Sequence, residues 1–403
     1  MRKRSVAILG STGSIGAQAV EVVRARPERF AVAALAAGAA RPAQLAAQVA
    51  RLRPALVALP AADGVAPLAS ALDALGVQAG ARPEILAGPG AACQAAGAGA
   101  DVVLNAIPGA AGLEPTLAAL AAGASLALAN KESLVVGGAL VKAAQLRPGQ
   151  IVPVDSEHSA IAQCLRAGRP AEVEKLILTA SGGPFRGRRR DELAAVTPAQ
   201  ALDHPTWAMG PLVTVNSSTL VNKALELIEA SLLFEIPPDR IEVVVHPQSM
   251  VHSMVQFADG AVVAQVSPPD MRLPIALALA WPERLPGAIR PADWSGKSSW
   301  TFEPVDAATF PAIDLARAAL AASPLHPAVL SGANEVAVAA FLGGRLGYLG
   351  IVETVGEVLA QFASSLRPGD RPTLGQVWQA DAWARQRAAE VVAAGAGRLA
   401  KGV

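Results

Sequence analysis

The chain has 403 residues, more than one hydrophobic core usually organises, so two or three domains are expected. Its hydrophobic fraction of 52% rests largely on alanine, and no stretch reaches the ~18 strongly apolar residues of a spanning helix, which argues against a membrane protein. Thirty-four basic against 33 acidic residues leave a formal charge of +1, which excludes nucleic acid as the main partner, and the two cysteines, Cys93 and Cys164, lack the spacing of a disulfide framework or a thiolate zinc site and point to a reducing cytoplasm.

In chain order, the basic flank at Arg2–Arg4 precedes an apolar run too short for a leader, so Val6–Leu9 reads as a first strand. Further strands are expected over Phe30–Ala36, Ala55–Leu59, Val102–Ile107 and Ser125–Ala129, with helices over Ile15–Arg26 and Leu113–Ala122 between them. This alternation is that of a doubly wound α/β domain over residues 1–150. From Ile151 the texture changes. Strands over Lys175–Ala180 and Ile241–Val245, and a hairpin of Val251–Phe257 with Ala261–Val266 about Asp259-Gly260, predict an α+β domain over 151–283 with a partly antiparallel sheet. Residues 284–311, rich in Pro, Gly, Ser and Trp, read as a linker, and 312–403 as a helical bundle.

Gly10, Gly13 and Gly16 follow the first strand and open the first helix, a spacing that lets backbone amides and a helix N-terminus approach a pyrophosphate. The alternative is a strand-to-helix turn without a ligand. Ser11, Thr12 and Ser14 are expected to add hydroxyl donors. The second strand ends in Gly38-Ala39-Ala40-Arg41 and carries no acid for a ribose hydroxyl, so Arg41 either meets a 2′-phosphate, favouring NADP, or merely opens the next helix beside Pro42.

Asp155 and Glu157 end an apolar run at i and i+2, which in extended backbone turns both carboxylates to one side. Asn222 and Glu226 share a face at i, i+4 of a helix expected to open at Ser217 and to bury Val221, Leu225, Ile228 and Leu232. Carboxylates without nearby Cys or His ligands suit Mg²⁺ or Mn²⁺. Equally, Asp155 and Glu157 can cap a helix over Ser159–Leu165, and Glu226 can be a solvated face residue. The five histidines form no H-x-x-x-H pair. Ser181-Gly-Gly183, with Ser217, Asn222 and Lys223, is a candidate phosphate pocket. The segment from Asp203 to Pro211, with His204, Trp207 and Met209, reads as a closing loop or as cover for a core edge.

Taken in order, Gly10-Ser-Thr-Gly13-Ser-Ile-Gly16, Ala129-Asn-Lys131-Glu132, Val154-Asp-Ser-Glu157-His, Thr179-Ala-Ser-Gly-Gly-Pro, His204-Pro-Thr-Trp-Ala-Met-Gly and Asn222-Lys-Ala-Leu-Glu226 closely resemble the 1-deoxy-D-xylulose 5-phosphate reductoisomerase family. The resemblance runs nearly end to end, through Pro269-Asp-Met-Arg-Leu-Pro and Gly332-Ala-Asn-Glu. It implies a homodimeric enzyme of the non-mevalonate isoprenoid pathway that forms 2-C-methyl-D-erythritol 4-phosphate with NADPH and one divalent cation, Mg²⁺ or Mn²⁺. It further implies that Asp155, Glu157 and Glu226 hold the metal. Ser156, Glu157, Ser181, His204, Trp207, Ser217, Asn222, Lys223 and Glu226 would face substrate, and Lys131, Glu157 and His204 would be catalytic. Thr12, Gly13, Ser14, Ile15, Gly38, Ala39, Ala40, Asn130, Glu132 and Gly210 would face NADPH.

The implied chemistry is a retro-aldol opening of the C3–C4 bond, recombination at C2 and hydride reduction of the branched aldehyde, with the general base open between Glu157 and a bound water. One departure stands out. The family usually carries Gly-Lys-Asn where this chain has Gly38-Ala39-Ala40, so Arg41 is expected to substitute in part and NADPH preference to be weaker. Rival readings are a plain NADP-dependent dehydrogenase of a phosphorylated sugar, which needs no three carboxylates, and a silent cofactor-sensing dimer.

Overall fold

The structure, a computed structural model, describes residues 2–207 and 209–399; the end of the expected terminal bundle, 400–403, lies outside them. In chain order the elements are β1 (Arg4–Leu9), α1 (Ser14–Arg24), β2 (Phe30–Ala36), α2 (Pro42–Leu52), β3 (Leu56–Leu59), α3 (Val65–Ala74), β4 (Glu84–Ala87), α4 (Ala91–Ala96), β5 (Val102–Asn105), α5 (Leu113–Ala121), β6 (Ser125–Leu128), α6 (Lys131–Ala143), β7 (Ile151–Pro153) and α7 (Ser156–Cys164). There follow β8 (Val173–Ala180), α8 (Pro198–Leu202), α9 (Pro211–Ser218), α10 (Val221–Phe234), β9 (Ile241–Val245), β10 (Val251–Phe257), β11 (Val262–Val266), α11 (Arg272–Ala280), β12 (Glu303–Pro304), α12 (Ala312–Ala322), α13 (His326–Leu342), α14 (Tyr348–Gln361) and α15 (Leu374–Leu399).

Two compact units form: Met1–Ser133 with Ala143–Ser159 and Asp270–Arg290, and Leu134–Lys142 with Ala160–Pro269 and Pro291–Val403. This partition runs differently from boundaries at 150 and 283. β7 is hydrogen-bonded to β6 as the last strand of the first sheet, and α11, almost wholly apolar, buries Ile275, Ala276, Ala278 and Leu279 in the core shared by Val6, Ile8, Leu35 and Leu104.

The first unit holds a seven-stranded sheet in the order β4-β3-β2-β1-β5-β6-β7, parallel throughout. Its central strands are buried on both faces, which is why they read as unbroken apolar runs. β4 escaped that signal because it is an edge strand with no buried residue. The strand order reverses between β1 and β5, so the crevice at the carboxyl ends of these strands is where a doubly wound sheet takes its ligand. The glycine turn enters that crevice directly from β1. Gly10 adopts φ +81° and lies so close to the Ala106 carbonyl that a Cβ would sit 2.5 Å from its oxygen; a Cβ on Gly16 would sit 2.1 Å from the Gly10 carbonyl oxygen. These two glycines therefore set the approach of α1 to the turn.

The second unit holds a five-stranded sheet, β11-β10-β8-β9-β12, in which β8 and β9 are parallel and the other pairs antiparallel. Asp259-Gly260 makes the β10–β11 hairpin turn, with Gly260 at φ +88°. The stretch expected to be a linker is partly strapped down. β12 pairs with β9, His246 Nδ1 lies 2.9 Å from the Thr301 carbonyl, and Phe302 stacks on the His246 ring with centroids 4.6 Å apart. Proline and glycine content concealed this two-residue strand. The region from Ala312 is helical, as expected, and α13, α14 and the α9–α10 turn share a core of Val215, Leu220, Val338, Phe341, Tyr348 and Ile351.

Because its Cβ has nowhere to go, Gly16→Ala should cost about 1–3 kcal/mol of stability. Gly38→Ala, whose Cβ enters open space, should change it by less than about 0.5 kcal/mol. Thermal unfolding of the two variants checks this, and equal losses would contradict the packing argument.

Candidate active site

In the first unit, the glycine turn presents Gly13 and Ser14 to solvent, with Ile15 half-buried and α1 starting at Ser14. The start of this 11-residue helix is thus exposed, as an anion bound at a helix N-terminus requires. The expected hydroxyl donors fare differently. Ser11 is wholly buried, its carbonyl held by Gln48, and Thr12 is buried as well, so of the three only Ser14 offers an exposed hydroxyl. Arg41 stands at the N-terminal boundary of α2, as its alternative reading had it, and Nη1 also donates to the Thr12 carbonyl at 2.8 Å. This bond fastens an exposed cation to the glycine turn. Gly38, Ala39 and Ala40 are exposed beside it; the Ala39 methyl packs against Gly64.

Asn130 is committed inward. Its amide donates to the carbonyls of Ile107 and Gly109, and its oxygen accepts from Ser133 N at 2.6 Å and Ser133 Oγ at 2.5 Å. Its side chain therefore ties α6 to the loop after β5. Glu132 lies half-buried in the first turn of α6. Gly210, exposed, precedes α9 in the second unit, where its carbonyl accepts from Thr214.

The extended reading of Asp155 and Glu157 is corrected by the helix. α7 begins at Ser156, the Asp155 carbonyl accepts from Ser159 N at 2.8 Å, and Glu157 sits in the first helical turn. Helix formation starts earlier than expected because β7 ends at Pro153, leaving Asp155 to open the helix. Lys131 Nζ lies 2.5 Å from Asp155 Oδ2, and Ser156 Oγ donates to Glu157 Oε2. Burial pushes the Asp155 carboxyl up, but the Lys131 ammonium, with the His158 ring 3.9 Å away, outweighs it and holds the group well below the usual carboxylate range. His158 was missed; at i+3 from Asp155 it shares a helix face with it, a spacing visible only once the helix is recognised.

In the second unit, Ser217 closes α9 rather than opening the next helix, and Leu220 at φ +58° makes the corner into α10. α10 is buried nearly all round, not along one stripe: Lys223, Glu226 and Glu229 are buried with Val221, Leu225 and Ile228, while Leu232 is only half-buried. Glu226 is thus no solvated face residue. Its Oε1 accepts from Asn222 Nδ2 at 2.5 Å and its Oε2 pairs with Lys223.

Ser181, His204 and Ser217 come together. His204 Nε2 lies 3.2 Å from Ser181 Oγ and 3.1 Å from Ser217 Oγ, while Nδ1 accepts the amides of Thr206 at 3.1 Å and Trp207 at 2.9 Å. Two amides aimed at Nδ1 make it an acceptor, so the neutral ring carries its proton on Nε2 and donates toward the two hydroxyls. Each serine then keeps its own O–H for an incoming anion. Gly182 and Gly183 take φ +83° and +65°; a Cβ on Gly183 would lie 3.0 Å from the Ser217 carbonyl oxygen, so these glycines serve close packing of the two serine turns. Trp207, half-buried, stands edge-on to His252 with ring centroids 6.2 Å apart. Residues missed by local spacing support the α9–α10 turn: Asn334 donates to Asn216 Oδ1 at 2.9 Å and Tyr348 Oη to the Ser218 carbonyl at 2.7 Å.

The donor chemistry fits hard cations and phosphate: carboxylate oxygens with lysine and the Asn222 amide on one side, serine hydroxyls and an imidazole N–H on the other. Family profiles described as 1-deoxy-D-xylulose 5-phosphate reductoisomerase match residues 6–138, as its C-terminal domain 151–234, and as the DXP reductoisomerase C-terminal domain 266–387. The chain is 61% identical over 398 residues to 1-deoxy-D-xylulose 5-phosphate reductoisomerase of Beutenbergia cavernae, covering 99% of this chain and 100% of that one. It is 59% identical to the enzyme of Pseudarthrobacter chlorophenolicus, covering 98% and 99%. Among solved structures, the Zymomonas mobilis enzyme in complex with NADPH aligns with a TM-score of 0.88 at 40% identity over 97% of this chain and 99% of that one. A DOX-P reductoisomerase in complex with NADPH, fosmidomycin and magnesium aligns with 0.88 at 36% identity over 96% and 98%.

Burial pushes the His204 imidazole down, so the folded state binds its proton less readily than the unfolded chain. The stability tied to neutral His204 is complete above the ordinary imidazole range and is lost as pH falls through it. Ring ¹⁵N shifts should find Nε2 protonated at neutral pH and a midpoint below that of a free imidazole; an Nδ1 proton or a raised midpoint would contradict the assignment.

Proposed function

This chain belongs to the 1-deoxy-D-xylulose 5-phosphate reductoisomerase family, and from that premise we propose how its own residues divide the work. It is an NADP-dependent, divalent-metal-dependent oxidoreductase that converts 1-deoxy-D-xylulose 5-phosphate to 2-C-methyl-D-erythritol 4-phosphate for isoprenoid synthesis. The observation that carries the assignment of roles is the Asp155–Lys131 pair opening α6 and α7 beside a sheet whose glycine turn is built for a dinucleotide.

We assign NADPH binding to residues 1–150, through Thr12, Gly13, Ser14, Ile15, Gly38, Ala39, Ala40, the Asn130 backbone and Glu132, with Gly210 contributed from beyond them. Residues 151–283 carry the catalytic groups other than Lys131, 284–311 connect, and 312–403 form the helical region. Asp155, Glu157 and Glu226 hold the cation; an all-carboxylate set with a depressed Asp155 suits Mg²⁺ or Mn²⁺. Bound there, the cation supplies charge stabilisation at substrate oxygens, and NADPH supplies the hydride.

The remaining work falls to the chain. Lys131 places an ammonium where oxygen charge develops. Ser181, Ser217, Asn222 and Lys223 donate to the substrate phosphate, with His204 fixing both serines and Ser156 orienting Glu157. Trp207, tied to His204 through its amide, closes over the site and excludes water. Arg41, fastened to Thr12, takes the 2′-phosphate that no lysine at Ala39 can reach.

We also propose a homodimer, which accords with the unpaired edge of β11, where Val262 is 48% exposed. A reducing cytoplasm accords with both cysteines being free thiols. Among the described residues no helix is long and apolar enough to cross a membrane.

Given substrate, NADPH and Mn²⁺, the protein should form the branched polyol with one NADPH oxidised per product, and a chelator should stop both. NADPH oxidation that ignored the chelator would overturn the metal role. In the same assay, kcat/KM for NADPH over NADH should stay below ~10⁴-fold; a larger preference, or no effect of Arg41→Ala, would remove Arg41 from the 2′-phosphate.

A further inference from the structure

Two carboxylates assigned to the cation each carry a lysine partner. Lys131 Nζ sits 2.5 Å from Asp155 Oδ2, with side chains 12% and 11% exposed. Lys223 pairs with Glu226 Oε2 on α10, with side chains 4% and 1% exposed, while Asn222 holds the other oxygen. In each pair the ammonium is bonded to an oxygen of a carboxylate assigned to the cation.

A dication brings twice the charge of an ammonium to the same oxygens and repels an ammonium left beside it. Lysine is suited to give way: its charge is a compact point on a four-carbon stem with rotatable donors, unlike the planar fork of arginine. We propose that Lys131 and Lys223 are exchangeable counter-ions: the divalent cation takes their carboxylate oxygens, and the displaced ammoniums turn to anionic oxygens of the substrate. The proposal rests on Asp155, Glu157 and Glu226 being the cation ligands. Its consequence is reciprocal coupling, in which cation binding tightens phosphate binding through Lys223.

The test measures Mn²⁺ affinity by electron paramagnetic resonance and inorganic phosphate affinity by calorimetry, with and without Mn²⁺, on the full chain. The parent should bind phosphate at least about fivefold tighter with Mn²⁺ present. Lys131→Met and Lys223→Met should each bind Mn²⁺ at least about fivefold tighter than the parent, and the phosphate affinity of Lys223→Met should gain less from Mn²⁺. Lys131→Arg and Lys223→Arg keep the charge and should bind Mn²⁺ no tighter than the parent. NADPH binding reports whether each variant is folded, and if Lys223→Met is not, the Lys131 pair decides. Methionine variants with parental or weaker Mn²⁺ affinity, or Lys223→Met with undiminished phosphate coupling, would overturn the exchange alone. A parent that bound no Mn²⁺ would overturn the ligand assignment and the exchange with it.

Discussion

A carboxylate withdrawn from water must be compensated where it lies, and this requirement organises the chemistry of the chain. Asp155 is held ionised against its burial by Lys131, and Glu226, deeper still, is matched by Lys223 and Asn222. Removing one partner from such a buried pair costs about 3–5 kcal/mol, so each lysine contributes to stability. Their positions follow from helix starts. Lys131 opens α6, Asp155 directly precedes α7, and Lys223 and Glu226 fall three residues apart near the start of α10.

The glycine turn imposes a second, steric constraint. Gly10 and Gly16 permit backbone-to-backbone contacts that any side chain would prevent. The two units carry different groups: the first holds the glycine turn and the Asp155–Lys131 pair, and the second holds the serine–histidine cluster and the Glu226–Lys223 pair.

How much of this was legible depended on the range of the interaction. The glycine turn, the Asp259-Gly260 hairpin and the buried parallel strands are written in local patterns, and the ordered motifs identified the family. Edge elements were not legible: β4 has no buried residue, and β12 is two residues long in a proline-rich stretch. The Asp155–Glu157 geometry was misread because an apolar run suggested strand where the helix had already begun. The bonds of the Asn130 side chain to Ile107, Gly109 and Ser133 were not legible either. Asn216 with Asn334 and Ser218 with Tyr348 join residues more than a hundred positions apart, which no local spacing encodes.

The central claim is that cofactor and cation occupy separately built sets of groups, the glycine turn for one and the carboxylates for the other. Glu226→Gln, which keeps the shape and the hydrogen-bonding oxygen toward Asn222 but removes the charge, tests it most directly. The account predicts that NADPH affinity, followed by its fluorescence, stays within about twofold of the parent, a change of under 0.5 kcal/mol, while Mn²⁺ binding falls by at least about tenfold, or 1.4 kcal/mol. Parental Mn²⁺ affinity, or parallel loss of both ligands from a folded protein, would contradict it.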